Sequence, residues 1–360
     1  MKKTVLRITG VVMCLVLTFY LLIHVTYCMR DYTRLMGFYD LPKNKADVMF
    51  VGTSVTFSTF MPMKAWEDYG MAAANYCTNC MMENAFPYAV KDILRTQSPK
   101  LIMVDVVPFM YGHHSQNKNW LRQGGEEEAE KDYLYEFIKY NLDGKRYYFD
   151  RFEQVYEINR DRGGNFADYC FWFFDISRCH NKKFHISQFF NTVHDVGKGY
   201  FYLSHNEGGE FDPTTLLEDT GKSQKIPDVE LEVLDRLTEE LSKSGADVVY
   251  YCPPIYFIKE DDFERKNFLA EYLSGKGLTF EDFSDNVSEL GFNDATDFWG
   301  VDHFDALGAQ KTTEYLCKYI NSNYDIPDRR GDSGYAYWEN DVPEWDEQLK
   351  SYIEQDMSTP

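Results

Sequence analysis

Three short runs are apolar at nearly every position: VMFVGTS from residue 48, LIMVDVVP at 101 to 108 and ADVVYYCPP at 246 to 254. A strand wetted on one face alternates apolar and polar residues. These do not alternate, so the sheet they form is expected to be covered by helices on both faces, as parallel sheets are. Each run also ends in residues that break a strand, Gly52, Pro108 or Pro253 with Pro254.

The covering helices are legible between the strands. One is expected at 84 to 95, with Phe86, Ala89, Val90, Ile93 and Leu94 on one face and Pro87 in its first turn, where a missing N–H costs little. A second, at 228 to 244, aligns Val233, Leu234, Leu237 and Leu241 and stops at Gly245. A third starts near Leu307 and turns Thr312, Tyr315, Leu316, Tyr319 and Ile320 inward. Strands and helices in this alternation predict an α/β fold, a three-layer doubly wound parallel sheet that binds ligands beyond the carboxyl ends of its strands.

Ahead of this domain, residues 8 to 27 carry no formal charge, about the 20 residues needed to cross a bilayer. Lys2, Lys3 and Arg7 precede the run, which predicts a cytoplasmic segment 1–7, a transmembrane anchor 8–27 and export of the chain beyond it, although Arg30 and Arg34 weaken that bias. A cleaved signal peptide would have a shorter apolar core and a small-x-small site, which CMRDY does not supply. A connector at 28–45 then leads to the α/β domain at 46–325. Residues 109–227, rich in Tyr, Phe, Asn and charge, read as an elaboration of it, and 326–360 as an acidic, aromatic tail.

The formal net charge of −21 argues against nucleic acid and anionic lipid headgroups as partners. CTNC at 77 to 80 is the one cysteine spacing of interest. Without a second CxxC or an HxxxH it predicts no metal site, and no cofactor motif accompanies it. The histidines at 113, 114, 180, 185, 194 and 205 likewise lack ligand spacing, and pairing among the cysteines stays open.

Two residues remain as chemical candidates. Ser54 follows the first strand in GTS, where an exposed hydroxyl sits beside free backbone N–H groups, although a hydroxyl residue there is also an ordinary helix cap. His303, in FWGVDHFDALGAQ, precedes the last helix of the sheet domain. A fold that returns this helix to the first strand brings the imidazole over Ser54 as a general base. Asp105 closes a strand and suits either a pocket or a turn.

A strand ending in GxS near the domain start and a late histidine followed by GA and a helix resemble the first and last blocks of the SGNH/GDSL hydrolases. With the anchor, the chain is similar to their extracytoplasmic branch, which includes proteins of teichoic-acid D-alanylation and alginate O-acetylation. YGMAAANYCTNCMMENAFPYAVKDILRTQSPKLIMVDVVP resembles that branch's Gly-to-Asn loop, helix, turn and second strand, and VVYYCPPIYF its late strand.

The resemblance implies a flavodoxin-like, SGNH-type sheet in a single-pass protein of the bacterial membrane, its domain outside the cytoplasm. It implies Ser54 as nucleophile and His303 as base, with oxyanion donors from the Ser54 amide and the loop around Thr78 and Asn79, which Asn75 would fix. It further implies serine esterase or O-acyltransferase chemistry on acylated cell-envelope or exported polysaccharide, with room for a membrane acyltransferase as partner. One departure matters. The family's aspartate three residues before the histidine is Gly300, leaving a Ser-His dyad or recruitment of Asp302 or Asp297. It also leaves a second reading, an inactive envelope protein that binds glycan or scaffolds a complex.

Overall fold

The computed structural model describes residues 2–25, 32–79, 81–111, 148–161, 165–173, 193–204, 216–257, 259–293 and 296–357. In chain order, α1 (Lys2–Val25) and α2 (Tyr32–Asp40) lead into β1 (Val48–Gly52), α3 (Ser54–Thr59), α4 (Pro62–Tyr69) and β2 (Ala73–Cys77). Then come α5 (Phe86–Thr96), β3 (Leu101–Asp105), α6 (Val107–Tyr111), α7 (Tyr148–Asp161), α8 (Phe166–Phe173), α9 (Asp228–Ser242), β4 (Asp247–Cys252), α10 (Glu260–Gly275) and β5 (Thr279–Asp282). A hairpin of β6 (Phe298–Gly300) and β7 (His303–Phe304) precedes α11 (Ala306–Asn323), α12 (Ala336–Glu339) and α13 (Val342–Met357).

Strands β1 to β5 form one parallel sheet in the order 2-1-3-4-5, a common doubly wound order whose switch point lies between β1 and β3. Successive side chains of a strand point to opposite faces, and here each face meets its own core. Met49, Val51, Ile102, Val104 and Tyr250 pack with Ile93 of α5 and Leu234 and Leu237 of α9. Val48, Phe50, Leu101, Met103 and Val249 pack with Leu316 and Ile320 of α11. Unbroken apolar strands and a three-layer α/β arrangement therefore have one cause.

Strand β2 corrects the expectation of a loop at YGMAAANYC. Ala73 to Cys77 pair with β1 from Val48 to Gly52 and are fully buried, although Ala and Asn are poor strand formers, because the edge position is covered rather than because the residues favour it. The tail is not loose either. Trp338 and Trp345 are fully buried, Trp338 Nε1 donates to Ala73 O at 3.1 Å, and Arg329 grips Asp47 through two bonds of 2.7 and 2.9 Å. In the connector, Leu35, Phe38 and Leu41 join the same core.

The expected anchor is only partly within the described residues. Its backbone is helical to Val25, its side chains are described to Thr18, and among the described residues no helix is long and apolar enough to cross a membrane. Of the 109–227 elaboration, α7, α8 and stretches at 193–204 and 216–227 are described. Cys80 and His113, His114, His180, His185 and His205 lie outside the described residues, and Cys77 is buried with its Sγ 3.9 Å from Phe50 O.

Candidate active site

β1 ends at Gly52, and the chain turns at once into α3. A side chain at Gly52 would collide with Thr56 Oγ1 and Asp105 Cβ, at 2.2 and 2.8 Å from an added Cβ, so the turn closes only around glycine. Thr53 is the helix cap: its backbone is extended and its Oγ1 accepts from Val55 N at 3.2 Å. Thr53, not Ser54, thus fills the capping role that the sequence left open between them.

Asp105, at the end of β3 across the switch point, lies fully buried beneath this turn. Its Oδ2 accepts from Thr53 N, Thr53 Oγ1 and Thr56 Oγ1 at 3.3, 3.1 and 2.9 Å, and its Oδ1 from Val107 N at 2.8 Å. Burial raises its pKa to about 6 against the opposing effect of those hydrogen bonds. It serves the turn rather than facing a pocket.

His303 reaches Ser54 from the β6–β7 hairpin. Phe298 and Phe304 bury the two strands, Tyr256 N donates to Val301 O at 3.1 Å to hold the turn on the loop after β4, and the Trp299 ring stands 5.4 Å from the imidazole. Asp305 then caps α11, accepting from Leu307 N and Gly308 N at 2.9 and 3.1 Å, and burial raises its pKa to about 7. His303 Nε2 lies 2.8 Å from Ser54 Oγ and Nδ1 lies 2.6 Å from Asp302 Oδ1.

The carboxylate at Nδ1 is that of Asp302, one of the two aspartates the sequence left open for recruitment. Spacing of i−3 helps on a helix, but residues 300 to 303 form a hairpin turn in which Gly300 pairs with His303, and the turn residue Asp302 curls back to Nδ1. Its other oxygen accepts from Tyr111 Oη at the end of α6 at 2.8 Å. Burial opposes ionisation of Asp302, yet the imidazole and the bonds from His303 and Tyr111 prevail and hold its pKa below the usual value. An ionised carboxylate only accepts, so Nδ1 carries the proton and Nε2 faces Ser54 as the basic nitrogen. Asp297 is elsewhere, its carboxylate taken by Lys311 Nζ, Asn293 N and Thr296 Oγ1 at 2.6, 2.8 and 3.0 Å.

The oxyanion candidates divide. Ser54 N–H opens α3 and has no helical acceptor. Thr78 N donates to Gly52 O at 3.3 Å, which fixes the loop beside the Ser54 turn but engages that amide, while its buried Oγ1 makes no hydrogen bond among the described residues. Asn79 is half-buried in the turn that follows. Asn75 does not hold this loop: its Nδ2 donates to Phe60 O at 2.9 Å, tying β2 to the end of α3.

No protein-family model matches the chain, and no curated protein matches it significantly. The chemistry of the site thus rests on its own geometry. Tyr111 is the functional residue that sequence reasoning missed, because the contact spans from α6 to a hairpin near the other end of the domain.

Proposed function

We propose that the protein is an SGNH-type serine esterase or O-acyltransferase acting on acylated cell-envelope or exported polysaccharide. The observation that carries this reading is the chain of bonds from Ser54 Oγ through His303 to Asp302, at 2.8 and 2.6 Å. Ser54 Oγ attacks the acyl carbonyl while His303 Nε2 takes the hydroxyl proton, and the Ser54 N–H and Thr78 hydroxyl donate to the oxyanion. Collapse passes that proton to the departing sugar oxygen and leaves an ester on Ser54. Water or a second glycan hydroxyl then gives its proton to Nε2, attacks the ester and releases Ser54. Asp302 stabilises the imidazolium at both stages, and Tyr111 holds Asp302.

Polysaccharide as substrate is supported by the family resemblance of the GTS and DHFDALGA blocks. The uncharged run at 8 to 27 anchors the domain to a membrane, which is supported by the exposed Val11, Val12, Leu15 and Val16 along α1. The test is to offer the full chain p-nitrophenyl acetate and an O-acetylated polysaccharide. Release or transfer of acetate by wild type, absent in Ser54→Ala, is expected. A folded wild type that neither releases nor transfers acetate from either would remove the proposal.

A further inference from the structure

Strand β6 carries one residue more than its partner strand can match. Phe298 pairs with Phe304 and Gly300 with His303, so Trp299 stands between two rungs with nothing of its own opposite. A bulge of this kind sets two residues against one, and bulges gather beside active sites because they re-aim a side chain. Here the side chain re-aimed is an indole. Phe298 goes into the core at 1% exposure, whereas Trp299 stays half-buried with its ring centroid 5.4 Å from that of the His303 imidazole.

Packing does not account for that ring. Trp299 joins neither of the two apolar clusters, unlike Phe292, Phe298 and Phe304 around it. Among the described residues its only ring neighbour is His303, met at an interplanar angle of 66°, and so tilted a contact occupies at most one face of the indole. Its Nε1–H donates to no described residue and, unlike that of Trp345, is not shut off from solvent. The contrast within the molecule is a cavity of about 410 Å³ between the 194–202 segment and α13, where Tyr202 stacks on Tyr352 at 4.2 Å and Tyr200 and Trp345 are buried. There the rings cover one another. At Trp299 one face and one donor are left for a ligand.

We infer that Trp299 is the platform on which a neutral sugar ring lies while its acyl ester meets Ser54. A flat apolar ring suits the C–H face of a pyranose, and an indole N–H, which only donates, calls for an acceptor such as a sugar oxygen. A fatty acyl chain would cover the ring and offer Nε1 nothing. The net charge of −21 disfavours a uronate or a phosphorylated sugar. The position fits the chemistry as well: a ring on Trp299 lies beside His303, which returns its proton to the sugar oxygen when the acyl group moves to Ser54. What the sugar does there rests on the proposed acyl transfer, whereas its binding does not.

The experiment compares the full chain and its Trp299 variants, in detergent micelles, on O-acetylated cellotriose, O-acetylated trimannuronate and vinyl acetate, which has no ring to lie on the indole. Trp299→Ala should lower kcat/KM for the acetylated cellotriose about tenfold more than for vinyl acetate, with the added loss in KM rather than kcat. Trp299→Phe, which keeps a face and loses the donor, should fall between. Equal losses on all the esters would mean that the ring only braces His303 and would overturn the inference, as would a wild type that prefers the mannuronate. Binding is read separately, by calorimetry of acetylated cellotriose with Ser54→Ala. That variant should bind, and adding Trp299→Ala should weaken its affinity about tenfold. Such a result from a protein inert towards every ester would sustain the platform and sink the acyl-transfer reading. No binding would overturn the platform whatever Ser54 does.

Discussion

The Ser54 turn and the aromatic cavity are linked through Phe201, whose N donates to Phe57 O of α3, yet they treat buried polar groups differently. Around Ser54 the carboxylates are satisfied, Asp105 taking four hydrogen bonds and Asp302 binding both His303 and Tyr111, while the Thr78 hydroxyl of the adjoining loop is left unpaired among the described residues. Beside the cavity, Tyr200 Oη and Trp345 Nε1 are buried with no hydrogen-bond partner among the described residues. A paired network holds its atoms in place before any ligand arrives, as catalysis requires. An unpaired one gives up stability.

The largest expected difference between the two regions comes from Asp302→Asn. Asparagine keeps the shape but lets Nδ1 lose its proton, and acetate release should fall by about 10⁴-fold. The melting temperature should stay near wild type. A markedly lower one would mean that the two regions are not separable.

Asp105→Asn sharpens the contrast through stability. One amide cannot accept all the bonds that the carboxylate takes, so chemical denaturation should show a loss of about 2–3 kcal/mol. Tyr200→Phe, equally buried, should cost nothing.

The two regions should also divide the pH axis. Asp105 has a folded pKa near 6, above the ordinary Asp value of about 3.9, so the folded state binds more protons between these values and its contribution falls as pH rises from about 4 to 6. Near the cavity, burial lowers the pKa of His194, but its bonds to Asp341 and Asp40, at 2.9 and 3.1 Å, prevail and raise it. That contribution is complete below the ordinary His value of about 6.5 and is lost as pH rises through the raised one. Melting curves across pH should therefore have a shallower lower slope in Asp105→Asn and a shallower upper slope in His194→Gln. Asp305 and Asp262, at about 7 and 6, add to the decline with rising pH in both variants.

The smallest effect concerns glycine. At Gly300 an added Cβ meets nothing within 4 Å, so Gly300→Ala should gain about 0.4–1 kcal/mol through the unfolded chain and leave activity intact. Gly199→Ala, in the cavity turn, should destabilise because of its positive φ and its contact with Asn75 O.

The legibility of each element in the sequence depends on how local its signal is. Strands β1, β3 and β4 announced themselves because burial on both faces is written into every residue, and α5, α9 and α11 because their stripes repeat every turn. β2 and β5 were hidden, one made of Ala and Asn, the other of TFED, since edge strands are held by what covers them. Ser54 and His303 were visible as residues with strand and helix context. Asp302 could not be separated from Asp297 because the spacing rule assumed a helical turn where a hairpin lies. Tyr200 and Trp345 gave no signal, since an aromatic residue's lack of a hydrogen bond exists only in three dimensions.

The most direct test of an activated serine is covalent labelling of the full chain by a fluorophosphonate probe, comparing wild type with Ser54→Ala, His303→Ala and Asp302→Asn. The geometry predicts labelling of wild type at Ser54, none in Ser54→Ala, and severe slowing in the other two. Folded wild type that resists the probe, or that labels as fast without His303, would contradict it.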